Sequence, residues 1–129
     1  MQRFCELIQS LLRTDVQVQR APYHPINIQV LSLLAREGFI RGYALEGNRI
    51  NILLKHYLGA PVIQNIHIVS RPSREIFLSP SDLKKRTGFN SGLWIVQNPL
   101  GIASHRDSIE LGVASKVLAG VNVGSQKWV

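Results

Sequence analysis

The stretch from Gly92 to Val121, GLWIVQNPLGIASHRDSIELGVASKVLAGV, constrains this chain more than any other. It reads as an apolar strand (Leu93–Val96), a tight turn (Asn98-Pro99-Leu100-Gly101), a short helix and a returning apolar strand (Val117–Val121). The helix carries its own start and stop signals. Ser104 followed by Asp107 has the spacing of a capping box, with Asp in place of the usual Glu or Gln, and Gly112 stands where a left-handed cap ends a helix. A fixed turn between two buried strands presents backbone amides and a few polar side chains at one rigid point. The chain holds 15 Lys and Arg against 8 Asp and Glu, a formal charge of +7, so a phosphate-bearing partner is the first candidate.

Upstream, Phe4, Leu7, Ile8, Leu11 and Leu12 recur at helical spacing and predict a first helix ending near Arg13. Val16–Arg20 alternates as a short strand that Pro22 closes. Pro25 opens a helix whose face is Val30, Leu31, Leu33 and Leu34, and Gly38 ends it. Phe39–Leu45 and Arg49–Lys55 are two strands of a hairpin turning at Glu46-Gly47-Asn48. His56–Pro61, with Gly59 and Pro61, reads as a linker. Val62–Val69 is the next strand, Arg71-Pro72-Ser73 a turn, and Arg74–Leu78 its hairpin partner. Ser79-Pro80-Ser81-Asp82 starts a further helix, whose last turn carries Lys84, Lys85 and Arg86; Asn122–Val129 reads as a tail. The expected core is Leu31, Leu34, Ile40, Ile52, Ile66, Ile76, Trp94 and Leu118, with Phe77 packed inside by default.

At 129 residues and 14.5 kDa, the chain suits one domain or two small, tightly apposed halves, divided as 1–58 and 59–129. No apolar run approaches the roughly 18 residues that span a bilayer. Cys5 is alone, which rules out an internal disulfide and favours a reducing compartment. Met1–Arg13 faintly resembles a targeting segment, but a first helix accounts for it better. His24, His56, His67 and His105 lack the spacing of a zinc motif, so neither a metal nor a cofactor is expected. Asp15, Glu37, Asp107 and Glu110 have structural roles open to them, and nothing resembles a nucleophile beside an oriented base. No catalytic residue is assigned. With a sequence pI near 10.2, nucleic acid is the leading partner and an anionic membrane surface the second.

The turn ending in Gly101, then Ile-Ala-Ser-His-Arg-Asp and Leu-Gly-Val, resembles the C-terminal half of the small ribosomal subunit protein eight family. Arg36-Glu37-Gly38-Phe39-Ile40, Val69-Ser70-Arg71-Pro72 and the strand ending in Phe77 follow that family's order and spacing, so the resemblance runs from the first helix to about Val121. It departs at the family's most distinctive element: where bacterial members carry Ser-Thr-Ser-Lys-Gly, this chain has Gln97-Asn98-Pro99-Leu100-Gly101. Lys116 stands where relatives usually carry Glu, Ala114-Ser115 replace a Gly-Gly pair, and Phe77 falls where they often have a Tyr that reaches RNA.

The resemblance implies an α+β fold: an N-terminal α-β-α-β-β unit and a C-terminal, mostly antiparallel β unit with short helices. It implies a structural protein of the small subunit that binds the central domain of the rRNA, beside proteins five and twelve, with no membrane and no small-molecule substrate. Arg71 and Arg74, with Ser70 and Ser73, would grip backbone phosphates at their turn. Gln97, Asn98, Pro99, Gly101 and Ser104 would form the altered RNA-reading turn, mainly through backbone groups, Asn98 and Ser104, with Arg106 and Lys116 adding charge on the same face. Drift in that turn suggests an rRNA that has itself diverged, and so a mitochondrial ribosome in preference to a bacterial or plastid one. A free-standing nucleic-acid-binding regulator and a small enzyme are the rival classes.

Overall fold

Leu7, Ile8 and Leu11 are helical and buried, on the stripe that the first helix needs. The computed structural model describes residues 7, 8, 11, 18–70, 74–87 and 92–123, and the chain divides into two compact units, Met1–Gln64 and Asn65–Val129.

In the first unit, β1 (Val18–Pro22), β3 (Arg49–Leu54) and β2 (Ile40–Glu46) form an antiparallel sheet in the order β1-β3-β2. Between β1 and β2 runs helix α1 (Pro25–Arg36). Its first turn is ready-made, since Pro25 needs no N–H partner and the His24 ring accepts the Ile26 amide at 3.2 Å. Gly38, at φ +84°, lets the chain turn out of the helix while the Phe39 amide still reaches the Leu34 carbonyl. Val30, Leu31, Leu33 and Leu34 are buried, as are Ala21, Ile40, Ile50 and Ile52 of the sheet.

The expected linker His56–Pro61 is instead a small hairpin, β4 (His56–Tyr57) and β5 (Ala60–Pro61). Its two-residue turn has Leu58 at φ +53° and Gly59 at φ +81°. Positive φ at both central positions matches the twist of a tight hairpin, so the Gly read as a linker signal was a turn signal.

The second unit is built round β10 (Ser115–Val121). The sheet runs β6 (Ile66–Ile68), β10, β8 (Leu93–Asn98), β9 (Gly101–Ser104), with β7 (Phe77–Leu78) also on β10 and every pairing antiparallel. Two helices, α2 (Pro80–Thr87) and α3 (His105–Leu111), join the strands. Leu83 of α2 packs with Trp94, Val96, Val117 and Val123, and Leu78, Ala103 and Ile109 lie against that cluster. Trp94 is opposite Gly120 in the ladder, where a Cβ would lie 2.7 Å from the indole Cζ3 and 2.5 Å from Val123 Cγ2. Only glycine lets the indole lie that close.

Three expectations change here. β7 is not the hairpin partner of the strand before it; β6 and β7 follow one another along the same side of β10, opposite Ala119–Val121 and Ser115–Lys116. The buried Ser70 hydroxyl holds the join, donating to the Val117 carbonyl and accepting the Ile76 amide. The strand expected over Val62–Val69 shrinks to Ile66–Ile68, and Ile66 and Ile76 are only half-buried, while the other six expected core residues are buried. Finally, the chain after the Asn98–Gly101 turn returns as β9 before α3 begins, because each residue of Gly101–Ser104 still finds a pairing partner on β8.

Candidate nucleic-acid interface

Cross-strand partners share a face of a sheet. Val117, Val96 and Ala103 form one row and face the helices and the core. The adjacent row, Phe77, Lys116, Gln97 and Ile102, has the opposite phase. Leu78 takes the core side of β7, which turns Phe77 outward, 65% exposed. The default reading of Phe77 as core is therefore corrected: a two-residue strand has one inward position, and Leu78 occupies it. Lys116 is more enclosed, with a side chain 15% exposed, and its ammonium meets Glu75 Oε1 at 3.3 Å.

Beyond Gln97, the β8–β9 turn is held from inside. Asn98 is buried; its Oδ1 accepts the Leu100 amide at 2.8 Å and its Nδ2 donates to Ser108 Oγ at 2.9 Å. The first bond closes the turn and the second ties it to the middle of α3. Gly101, at φ +127°, supplies a backbone conformation that side chains resist. Pro99 and Leu100 face outward and are exposed.

Ser104 caps α3, its hydroxyl accepting the Asp107 amide at 3.2 Å, and Gly112 closes the helix at φ +70°, both as the sequence indicates. His105 is buried behind the cap and its Nδ1 accepts the Trp94 amide at 3.2 Å. Burial, with the neighbouring Arg106 charge second, pushes its pKa down from 6.5 to about 4, so the ring is neutral at pH 7.

Gln97, Asn98, Pro99 and Gly101 thus share one hairpin, with Lys116 opposite Gln97. Arg106 is exposed, but α3 leaves the sheet at the level of Ile95, not Gln97. Arg74 is exposed; Arg71 and Ser73 lie outside the described residues. The polar groups of Ser70, Asn98 and Ser104 are engaged within the unit, so each also braces the local fold. Sequence reasoning missed Ser108, which anchors the turn, and Glu75, which pairs with Lys116; both become visible only once β9 and β7 are in register.

Elsewhere, a groove of about 520 Å³ beside the β4–β5 hairpin is lined by Lys55, Tyr57, Leu58, Pro61 and neighbouring small residues. Among the described residues, no group of three His, Cys, Asp or Glu could hold a metal ion, and no helix is long and apolar enough to cross a membrane.

A family model described as Ribosomal protein S8 matches residues 7–122. The chain is also similar to small ribosomal subunit protein uS8 of Rhizorhabdus wittichii, 37% identical over 106 residues that cover 78% of this chain and 79% of the relative. The protein of the same name from Rhodospirillum centenum is 36% identical over 114 residues, covering 84% and 86% of the two chains. That of Zymomonas mobilis is 38% identical over 106 residues, covering 78% and 79%.

Proposed function

Because the chain belongs to the ribosomal protein S8 family, we propose that it works as a structural, non-catalytic constituent of the small ribosomal subunit, binding the central domain of its rRNA during assembly and holding it afterwards. The observation that carries this reading is the outward row Phe77–Lys116–Gln97 running into a braced turn, on a unit whose Arg74, Lys84, Lys85 and Arg106 are exposed. Exposed cations exchange counterions for phosphates and supply affinity that falls with salt. An exposed aromatic ring offers a platform on which an unpaired base can stack, and the loss of a hydroxyl at Phe77 leaves that stacking intact. Arg71, Arg74 and Ser73 would contribute phosphate contacts, with Ser70 bracing their segment from within. Small-subunit proteins five and twelve are the proposed protein neighbours.

A ribosomal location follows from the same reading. The relatives named above are bacterial, so the mitochondrial assignment draws on the altered turn alone and stands as a proposal that subcellular fractionation decides. The test of function is sedimentation of the tagged full chain from a lysate of its source cells. It is expected in the small-subunit fraction and to stay there through a high-salt wash. Recovery only in the soluble fraction, on free RNA, would favour the rival reading of a free-standing regulator.

A further inference from the structure

The Lys116 ammonium does not stand free on the outward row. It meets Glu75 Oε1 at 3.3 Å, and the two side chains are 15% and 45% exposed. The backbone sets up this pair. The carbonyl of Ile76, next after Glu75, accepts the amide of Val117, next after Lys116, at 2.9 Å. From its other side, the Ile76 amide donates to the buried Ser70 hydroxyl at 2.9 Å. Ile76 is pinned through both of its backbone groups, and that pin brings Glu75 up to Lys116. A pair brought together by the sheet loses little further freedom when it closes.

Glu75 is out of keeping with its surroundings. The other acids of this unit, Asp82, Asp107 and Glu110, belong to α2 and α3, whose Leu83 and Ile109 pack on the core side of the sheet. Glu75 alone lies beside the outward row of Phe77, Lys116 and Gln97. A carboxylate on a face that meets a polyanion costs affinity, because it repels phosphate and offsets the charge of the lysine next to it. The stability that a half-exposed ion pair returns is small. What the pair can supply is discrimination. A free lysine here would neutralise a phosphate of any RNA. A paired one presents its remaining N–H donors without net charge, which rewards only an RNA that places a base edge or a ribose there.

We propose that Glu75 is a specificity-determining residue. It holds Lys116 in a neutral pair, so the outward row does not take a phosphate, and RNAs of the wrong shape are denied the affinity a free lysine would give them. This rests on the rRNA-binding reading and adds to it a residue that acts through its neighbour, by withholding charge.

The experiment titrates the full-length protein against a central-domain fragment of its own small-subunit rRNA and against a scrambled RNA of equal length, each at several salt concentrations. Glu75→Gln is compared with wild type, and the same substitution is repeated in a Lys116→Met background. Both side chains are partly exposed and both replacements keep an unbranched stem, so the variants fold, and their melting temperatures check this. Glu75→Gln is expected to bind the scrambled RNA about three- to tenfold more tightly. Its slope of log K against log salt should be steeper by about 0.7–0.9, the mark of one more neutralised phosphate. Affinity for the fragment should rise less, so the preference for it falls. In the Lys116→Met background Glu75→Gln should leave the slope unchanged, because no lysine remains to be released. Three results overturn the proposal: a wild-type slope for Glu75→Gln, an unchanged preference for the fragment, or equal steepening without Lys116, which would transfer the effect to the neighbouring Arg74. A wild-type protein that prefers its fragment no better than the scrambled RNA would instead remove the rRNA reading itself.

Discussion

Two hairpins in this molecule each carry an exposed leucine at a tight turn, and they are made in different ways. In the β4–β5 turn, Leu58 and Gly59 adopt left-handed backbone, the strands are two residues each, and they pair only with one another. In the β8–β9 turn, Pro99 fixes the entry, Gly101 alone takes positive φ, Asn98 braces the tip twice, and the strands belong to a five-stranded sheet. The first is shaped by backbone conformation against a steric preference of Leu58. The second is shaped by side chains buried beneath it. A presented surface gains specificity when the bracing lies outside the surface, because the tip residue can then vary without the turn changing shape.

The largest expected effect probes the base of the braced hairpin. His105 has a folded-state pKa of about 4 against 6.5 when unfolded. The unfolded chain therefore binds the proton first as pH falls. Its contribution is intact above about pH 6.5 and is lost progressively down to about pH 4, up to about 3 kcal/mol. Urea denaturation followed by Trp fluorescence from pH 7.5 to 4.5 should show this fall, and His105→Gln should remove most of it. A pH dependence identical in wild type and His105→Gln would separate His105 from the stability of the second unit.

Asn98→Ala comes next. It strands the Leu100 amide and takes a partner from the buried Ser108 hydroxyl, at a cost of about 2 kcal/mol. The midpoint of urea unfolding should fall accordingly, and hydrogen exchange at the Leu100 amide should quicken. If both stay at wild-type values, the bracing contributes nothing and the contrast between the two turns collapses.

The smallest effect has the opposite sign. Leu58→Gly relieves a left-handed leucine and should be neutral to stabilising by up to about 1 kcal/mol, even though glycine raises the entropy of the unfolded chain. A clear loss in thermal stability would mean that the Leu58 side chain packs usefully despite its exposure, and the two tips would then be more alike than their backbones suggest.

Where the sequence was informative, a residue's neighbours along the chain decided its state. Ser104, Asp107 and Gly112 delimit α3, and Pro25 and Gly38 bracket α1, because caps and left-handed stops act over three or four residues. It was silent where the partner lies far along the chain. Whether Phe77 points in or out depends on Lys116, nearly forty residues on, and on which of two adjacent apolar side chains the core accepts. The hairpin at His56–Pro61 was mistaken for a linker because Gly and Pro mark both. In the candidate interface, the residues of the turn were legible, but not their internal hydrogen bonds: that Asn98 braces the turn from within was invisible without the Ser108 partner on α3.

The central position of β10 also bears on when the second unit can exist. This strand pairs with β6, β7 and β8, and its ladder to β6 joins Ile66–Ile68 to Ala119–Val121, about fifty residues apart. Closing so long a loop costs entropy before any contact rewards it, and such pairings form late. On a nascent chain, β6, β7 and β8 would wait unpaired along their inner edges until the residues of β10 left the exit tunnel. The row bearing Phe77 and Gln97 would then assemble in one step, with Lys116 as its last arrival. A complete version of that face would therefore exist only once β10 is made, so synthesis itself would time its appearance.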